Sequence, residues 1–180
     1  YMDTLIIVDM QNDFVYGSLA NPAAQAIINP MVEFIHGFKG KIVATYDTHY
    51  GDYLLTQEGR FLPIPHCIFG SEGHNMVSRL KDAIIKKYNA YNCFDIFKTS
   101  FGYTDWEHVE SVENSDRLIL VGTCTDICVV SNAIILKAVY PEKEIVVLED
   151  LCAGLTEEKH KAALEVMRSC QVIVKNSKEL

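Results

Sequence analysis

The chain has 180 residues, of which 49% are hydrophobic and 22% charged, so it can build one ordinary core and is short for two. We therefore expect a single domain over residues 1–180. The net charge of −8 disfavours nucleic acid, whose phosphates need a basic surface, and no apolar run approaches the roughly 20 residues that cross a bilayer. A cytoplasmic protein that binds neither nucleic acid nor membrane is expected. Its six cysteines are interpreted as free thiols, because they are scattered rather than concentrated in a small secreted scaffold.

The chain begins with a strand signal and a helix signal. Residues 4–9 (TLIIVD) form a nearly continuous apolar run that ends in a carboxylate, as expected of a central parallel strand. Pro30 is placed as the first residue of a helix that runs to about Phe38 and is closed by Gly40. A second apolar run at residues 41–46 predicts the next strand.

The middle of the chain has a long unpatterned segment. Residues 47–73 show no sustained periodicity, and a loop of this length in a compact domain is usually functional. An amphipathic helix is predicted to begin at His74 or at the residue after it. A short strand is predicted at residues 93–97, and a helix from residue 104 or 105 to 112.

The stretch LILVGTCTDICVVSN (residues 118–132) predicts a strand, a sharp turn and a helix. Asp126 is placed to cap that helix, and Cys128 falls in its first turn. The remaining predicted elements are strands at residues 144–148 and 171–175 and a helix at residues 156–169.

This alternation of strands and helices predicts an α/β fold. The expected arrangement is three-layered, doubly wound and Rossmann-like, with a six-stranded, mainly parallel sheet and helices on both faces. The carboxyl ends of parallel strands share one rim, where such folds keep their ligand crevice. Asp9, Asp47 and Lys98 each end or follow a predicted strand, and the turn at Gly122 follows a fourth. We therefore expect these residues to lie along one rim.

Cys128 is a candidate nucleophile. A thiol near a helix N-terminus feels exposed N–H groups and the positive end of the helix dipole, and both favour the thiolate. Free cysteines are also common as small buried residues, so its position alone leaves both interpretations open.

Asp9 and Lys98 could complete a catalytic set with Cys128. A thiol nucleophile needs a base for its proton and a positive neighbour for the thiolate. Asp9 would accept the proton, while Lys98 would stabilise the thiolate and keep Asp9 ionised. The alternatives are that Asp9 caps a turn and that Lys98 is an ordinary surface lysine.

The long loop carries a candidate metal site. Asp47 and His49, two residues apart, can face the same side of an extended segment, and Glu58 and His66 follow on the same loop. Such a mixed nitrogen and oxygen set suits zinc, or manganese or iron if waters complete the coordination. The alternative is that the histidines are bystanders, and two further candidate ligands are Cys67 and His74.

Cys124 and Cys128 could instead form a redox or metal-binding pair. Their three-residue gap differs from the two-residue gap of thioredoxin-like motifs, and there is no second cysteine pair to complete a zinc site. This interpretation is therefore disfavoured.

Three motifs together resemble a known family. LIIVDMQNDF near the start, the Asp47-x-His49 and Pro65-His66 pairs, and VGTCTDICV at residues 121–129 resemble the isochorismatase-like cysteine hydrolases, and within them the nicotinamidase/pyrazinamidase branch. The resemblance spans nearly the whole chain. It implies that Cys128 is the nucleophile and that Asp9 and Lys98 are its catalytic partners.

The resemblance also implies the rest of the site. Members have a cis peptide at the position of Thr123–Cys124, which turns the backbone N–H groups of Cys124 and Cys128 toward a developing oxyanion. Phe14 is implied as part of an aromatic pocket wall, and Thr123 as a second substrate contact. The metal-binding positions of the branch match Asp47, His49 and His66, with Glu58 as the acidic ligand that some members carry.

The expected function is amide hydrolysis. The resemblance implies that nicotinamide is hydrolysed to nicotinate and ammonia through a thioester on Cys128, while a divalent metal, expected to be zinc from the ligand types, holds the substrate ring. The alternatives are a relative that acts on an N-carbamoyl or ureido compound or on isochorismate, a non-catalytic binding protein on the same scaffold, and a thiol redox protein. The predicted partner is a small-molecule amide. Extra apolar residues on the Cys128 helix (Ile134, Ile135 and Val139) would suit a homo-oligomer interface.

Overall fold

The protein, described over all 180 residues by a computed structural model, is built on one six-stranded parallel sheet. The strand order is β3-β2-β1-β4-β5-β6, and every pair of neighbours is parallel. The predicted three-layer α/β fold is therefore confirmed. The strands are β1 (Asp3–Val8), β2 (Lys41–Asp47), β3 (Phe94–Lys98), β4 (Arg117–Thr123), β5 (Glu144–Ala153) and β6 (Ile173–Lys175).

Helices cover both faces of the sheet. The helices are α1 (Asn12–Val15), α2 (Pro22–Ala26), α3 (Ile28–Gly37), α4 (Gln57–Phe61), α5 (Ser78–Tyr88), α6 (Glu110–Glu113), α7 (Val130–Val139) and α8 (Glu157–Ser169), with 3₁₀ turns at Tyr53–Leu55, Glu72–His74, Trp106–His108 and Ser177–Glu179. None of these helices is long and apolar enough to cross a bilayer.

Alternation along the strands divides the core into two clusters. Leu5 and Ile7 of β1 point toward helices α3 and α5, whereas Ile6 and Val8 point toward α7 and α8. Successive strand side chains face opposite sides of a sheet, so a strand buried on both faces must be apolar throughout. This explains the continuous apolar runs in the sequence.

Two predicted helices have different boundaries from those expected. The proline that begins a helix is Pro22 in α2, and the Asn21 side chain caps that helix. Pro30 is instead the third residue of α3. The first four residues of a helix have no intrahelical acceptor for their N–H groups, so a proline there breaks no helical hydrogen bond. The helix expected from His74 begins instead at Ser78, because residues 72–74 form a separate 3₁₀ turn.

The single helix predicted over residues 104–112 is wrong. A 3₁₀ turn at Trp106–His108 and the short helix α6 are separated by Val109, which is extended with φ −98° and ψ 102°. The side chains of Trp106 and Val109 are both buried against the sheet. The N–H of Val109 donates to the carbonyl of Trp106 at 3.0 Å, which closes the 3₁₀ turn before α6 begins.

Successive strands are added first to one side of β1 and then, from β4 onward, to the other side. Strands β2 and β3 lie on one side of β1, while β4, β5 and β6 lie on the other. In doubly wound folds this switch point opens a crevice beyond the carboxyl ends of the two central strands. Asp9 follows β1 and Cys124 follows β4, so both lie at the crevice.

Candidate active site

A sharp turn at the end of β4 carries the nucleophile candidate. Gly122 has φ 125°, and a side chain at this position would collide with the carbonyl group of Val8 on the adjacent strand. Only glycine combines this backbone conformation with such a close approach. The next peptide, Thr123–Cys124, is cis, as the family resemblance implied.

Cys128 lies in a π-helical turn, Thr125–Val129, that leads into α7. Such turns are rare and are often found at functional sites. The carbonyl group of Cys124 accepts the N–H groups of Ile127 and Val129 at 3.0 and 3.1 Å. The hydrogen bond from Val129 to Cys124 spans five residues, as in a π-helix, and this geometry sets the position of Cys128 relative to the end of β4.

The predicted role of Asp126 as a helix cap is wrong. The residue lies inside the π-helical turn rather than before it, because the turn begins one residue earlier, at Thr125. Its carboxylate instead accepts the N–H of Leu155 at 3.0 Å. Asp126 thus links the turn to the loop between β5 and α8.

The side chains of Asp9, Lys98 and Cys128 meet at the crevice. The Lys98 ammonium donates to Asp9 Oδ2 at 2.7 Å and to Cys128 Sγ at 3.6 Å, so it bridges the carboxylate and the thiol. The three side chains are 0%, 2% and 4% exposed, in the order Asp9, Lys98, Cys128. The second oxygen of Asp9 accepts the hydroxyl of Thr45 at 2.7 Å. The ammonium thus contacts both the carboxylate and the thiol, and the surface-lysine interpretation of Lys98 is excluded.

Burial dominates the protonation of this group. It raises the pKa of the Cys128 thiol well above its usual value, and the negative charge of Asp9 adds to the rise while Lys98 opposes it. Burial also raises the pKa of Asp9, again against the attraction of Lys98. For Lys98, burial alone would lower the pKa, but the charges of Asp9 and Cys128 raise it overall. Burial and the negative charge of Asp9 therefore oppose the thiolate that the helix N-terminus favours, and Asp9, linked to Cys128 through Lys98, is the candidate acceptor for the thiol proton.

Asp47, His49, Glu58 and His66 form a second cluster beside the first. Their donor atoms all lie within 4.8 Å of one another. Asp47 Oδ2 is 3.0 Å from His49 Nε2 and 3.2 Å from His66 Nε2, while Glu58 Oε2 is 3.0 Å from His49 Nε2. Asp47 Oδ1 is buried without any hydrogen-bond partner. The donor set therefore contains two imidazoles and two carboxylates, and one of these carboxylates has an unpaired buried oxygen. Such a set fits a divalent ion such as zinc.

The cluster is built to hold positive charge. Burial alone would raise the pKa of Asp47, but its hydrogen bonds with His49 and His66 lower it below the usual range. Burial alone would lower the pKa of His49, but hydrogen bonds with Asp47 and Glu58 raise it to about 9. A proton or a metal ion is therefore stabilised between these carboxylates.

Two residues that sequence reasoning missed hold the metal-candidate loop in place. The Gln11 side chain is fully buried; it donates to the carbonyl of Asp47 at 2.8 Å and accepts the N–H of Asp47 at 2.8 Å. Asp13 accepts the N–H of Cys67 at 2.8 Å, next to His66. Both belong to the DMQNDF stretch (residues 9–14). Polar residues spaced two apart, directly after a buried strand, were the sequence signal that could have identified them.

The two further ligand candidates do not join the cluster. His74 shares a hydrogen bond of 2.9 Å with the hydroxyl of Thr48, and neither His74 nor Cys67 belongs to the group of mutually close donors. Burial raises the pKa of the Cys67 thiol, so it remains protonated. These two side chains support the loop rather than extend the donor set.

One cavity of about 580 Å³ connects both clusters. Cys124 and Cys128 line it together with Asp47, Glu58 and His66. Most of its other walls are apolar side chains, namely Phe14, Leu19, Pro22, Phe61, Leu62, Phe101, Ile127 and Leu155.

Of the two predicted substrate contacts, Phe14 lies at the cavity and Thr123 does not. Phe14 lines the cavity, and its ring lies 5.5 Å from that of His66, centroid to centroid. Thr123 is 1% exposed and does not line the cavity. Its hydroxyl donates to the carbonyl of Ala153 at 2.9 Å, so the side chain ties β4 to β5 and the predicted contact through it is not seen.

Comparison with known proteins agrees with this architecture. The isochorismatase domain family matches residues 3–179. The nicotinamidase/pyrazinamidase of Mycobacterium tuberculosis is 31% identical over 185 residues, covering 95% of this chain and 97% of that protein.

Solved structures are similar over nearly the full chain. The nicotinamidase/pyrazinamidase PncA of Bacillus subtilis has a TM-score of 0.84 and 28% identity, and the match covers 98% of this chain and 100% of that one. The pyrazinamidase of Pyrococcus horikoshii in complex with zinc has a TM-score of 0.79 and 28% identity, over 98% and 99% of the two chains. With the family match spanning almost every residue, this chain belongs to the isochorismatase family.

Proposed function

We propose that the protein is a cysteine amidohydrolase that converts nicotinamide to nicotinate and ammonia. The observation that carries the proposal is the joining of two clusters in one cavity: an ammonium in contact with a carboxylate and a thiol, and beside it four side chains that could hold a metal ion. The similar proteins named above as nicotinamidases or pyrazinamidases support the same substrate class.

The first step is proton transfer from Cys128 to Asp9. Asp9, which Lys98 holds beside Cys128, is proposed to accept the thiol proton as the sulfur attacks the carboxamide carbon. Lys98, held at 3.6 Å from the sulfur, stabilises the negative charge on the thiolate. The raised pKa of Asp9 suits a group that must take up a proton and later return it.

The turn around Cys128 then stabilises the tetrahedral intermediate. The backbone N–H groups of Cys124 and Cys128 are proposed to donate to the developing oxyanion, as such paired amides do in acyl transfer. Asp9 returns its proton to the leaving nitrogen, so that ammonia departs and a thioester remains on Cys128. Water attacks the thioester with Asp9 as base, which releases nicotinate and restores the thiol.

We propose zinc as the metal held by Asp47, His49, Glu58 and His66. The donor set fits that ion, and the similar Pyrococcus horikoshii protein is in complex with zinc. These four residues would hold the ion, which would supply Lewis-acid attraction for a ring nitrogen of the substrate. Phe14, on the cavity wall beside His66, would pack against the ring and orient the carboxamide toward Cys128.

Ammonia release and acyl trapping test the proposal. Purified protein is assayed with nicotinamide, pyrazinamide, an N-carbamoyl amino acid and isochorismate, and metal content is measured on the same sample. We expect turnover of nicotinamide, stoichiometric metal, and a nicotinoyl adduct on Cys128 in acid-quenched samples analysed by mass spectrometry. Cys128→Ala should give neither turnover nor adduct. Turnover by this variant would refute the cysteine mechanism, and preference for the N-carbamoyl compound would refute the substrate.

A further inference from the structure

The π-helical turn that carries Cys128 is anchored from outside the catalytic cavity. Its first residue, Thr125, is 0% exposed, and its hydroxyl shares a hydrogen bond of 2.7 Å with Nδ1 of His160. His160 lies near the start of α8, after the Thr156 cap. It does not line the cavity that contains Cys128. A polar side chain on a different helix thus reaches the base of the nucleophile turn.

A second hydrogen bond joins the segment before α8 to this turn. Asp126, the residue after Thr125, accepts the N–H of Leu155 at 3.0 Å. Gly154 packs so closely on α8 that a Cβ added to it would lie 2.9 Å from Cβ of His160, closer than side chains can approach. Two adjacent residues of the turn, Thr125 and Asp126, are therefore hydrogen-bonded to residues 155–160, a segment that packs closely against Gly154 just after β5.

We propose that His160 is a positioning residue for the oxyanion-binding turn. Through Thr125 it fixes the backbone between Cys124 and Cys128, the two residues whose N–H groups are assigned to the developing oxyanion. This inference rests on the proposed function. Because those amides act on charge that appears only in the transition state, displacing them lowers kcat and leaves ground-state binding at the metal site largely unchanged.

The size of the effect follows from the geometry of the reaction. A displacement of about 1 Å at a reacting centre can lower the rate about 100-fold. Loss of one anchoring hydrogen bond out of two should displace the turn by less, so we expect kcat to fall about 10- to 30-fold in Thr125→Val or His160→Leu, with KM changed less than about threefold.

The experiment is a double-mutant cycle with a conservative rescue. Thr125→Val keeps the side-chain shape and removes the hydroxyl, and His160→Leu removes the ring nitrogen. Each should lower kcat by a similar factor, and the double variant should be no slower than the worse single variant, because both lose the same bond. His160→Asn, which can place a hydrogen-bonding atom near the position of Nδ1, should recover most of the lost rate.

Thr4→Val is the matched control. Thr4 is also 0% exposed and its hydroxyl shares a hydrogen bond of 2.6 Å with Ser115, but it lies at the opposite end of β1. Losing that hydroxyl should lower the melting temperature about as much as Thr125→Val does and leave kcat unchanged. A loss of kcat in Thr4→Val equal to that in Thr125→Val would show a general effect of stability and overturn the proposal.

A second readout separates this proposal from the proposed function. The rate of Cys128 alkylation by iodoacetamide, followed by mass spectrometry, needs no amide substrate. Thr125→Val, His160→Leu and the double variant should all change this rate by one common factor, and Thr4→Val should not change it. If wild-type protein fails to hydrolyse nicotinamide but the alkylation pattern holds, the substrate is wrong and the anchor stands. Additive effects of the two substitutions on both readouts, or no rescue by His160→Asn, would overturn the anchor.

Discussion

Replacing Lys98 by methionine removes a buried cation while keeping an unbranched side chain of similar length. Lys98 is 2% exposed and donates to Asp9 at 2.7 Å and to the carbonyl of Ser100 at 3.1 Å. Removing one partner of a buried ion pair costs about 3–5 kcal/mol, because the other charge is left buried without compensation. We expect Lys98→Met to lose stability in that range at neutral pH.

The loss should depend on pH in a defined direction. Burial raises the pKa of Asp9, and Lys98 is the main opposing influence; without it the pKa rises further. The folded variant then binds a proton that the unfolded chain, with a carboxyl pKa of about 4, has released. Protonation therefore favours the folded variant most below about pH 4, and this contribution is lost as pH rises through the raised pKa. The stability deficit of Lys98→Met should be larger at pH 8 than at pH 5.

Activity should fall more steeply than stability. A protonated Asp9 cannot accept the Cys128 proton, and losing general-base catalysis typically lowers kcat about 10²- to 10⁴-fold. Urea unfolding at both pH values and an ammonia-release assay measure the two effects. Arg117→Met is the control: Arg117 pairs with Asp3 at 2.6 Å at the opposite end of the sheet, so it should lose about 1 kcal/mol with kcat unchanged. A deficit equal at both pH values, or a kcat within tenfold of wild type, would refute this reasoning.

Three further substitutions probe the neighbouring residues. Gln11→Met removes the amide that grips the Asp47 backbone without touching a ligand, and should weaken zinc binding about 10- to 100-fold in calorimetric titration of chelator-treated protein. Asp47→Asn removes the buried, unpaired carboxylate oxygen and should weaken zinc binding more than Gln11→Met does; the reverse order would contradict the assigned ligand set. Cys124→Ala keeps the backbone N–H and should retain wild-type ammonia release, whereas inactivity would favour a thiol role for Cys124.

The sheet and its rim were predictable because their signals are local. The apolar run that ends at Asp9 identifies both a buried strand and its functional end, the shorter strand signal before Lys98 identifies a second such end, and parallel strands bring these ends together. The cluster of Asp47, His49, Glu58 and His66 was likewise predictable, since all four ligands fall within one short stretch of sequence, residues 47–66, that shows no sustained periodicity.

The supporting contacts could not be predicted, because their partners are distant in the chain. Gln11 bonds to a backbone 36 residues away, and His160 bonds to a threonine 35 residues away; neither pairing leaves a periodic trace. The surroundings of Cys128 were predictable only in part: the helix N-terminus is visible in the sequence, whereas the burial that raises the pKa of the thiol depends on the packed structure.

All of the chemistry lies on one rim of the sheet, and this has a practical consequence for engineering. The turn between α7 and β5 emerges at the other rim, and its residues Pro141 and Glu142 are exposed. Exposed loop tips tolerate insertions best, so a tag, a fluorophore or a tether to a solid support attached there would face away from the substrate entrance. The protein could thus be immobilised in a defined orientation, with its cavity open to the solution.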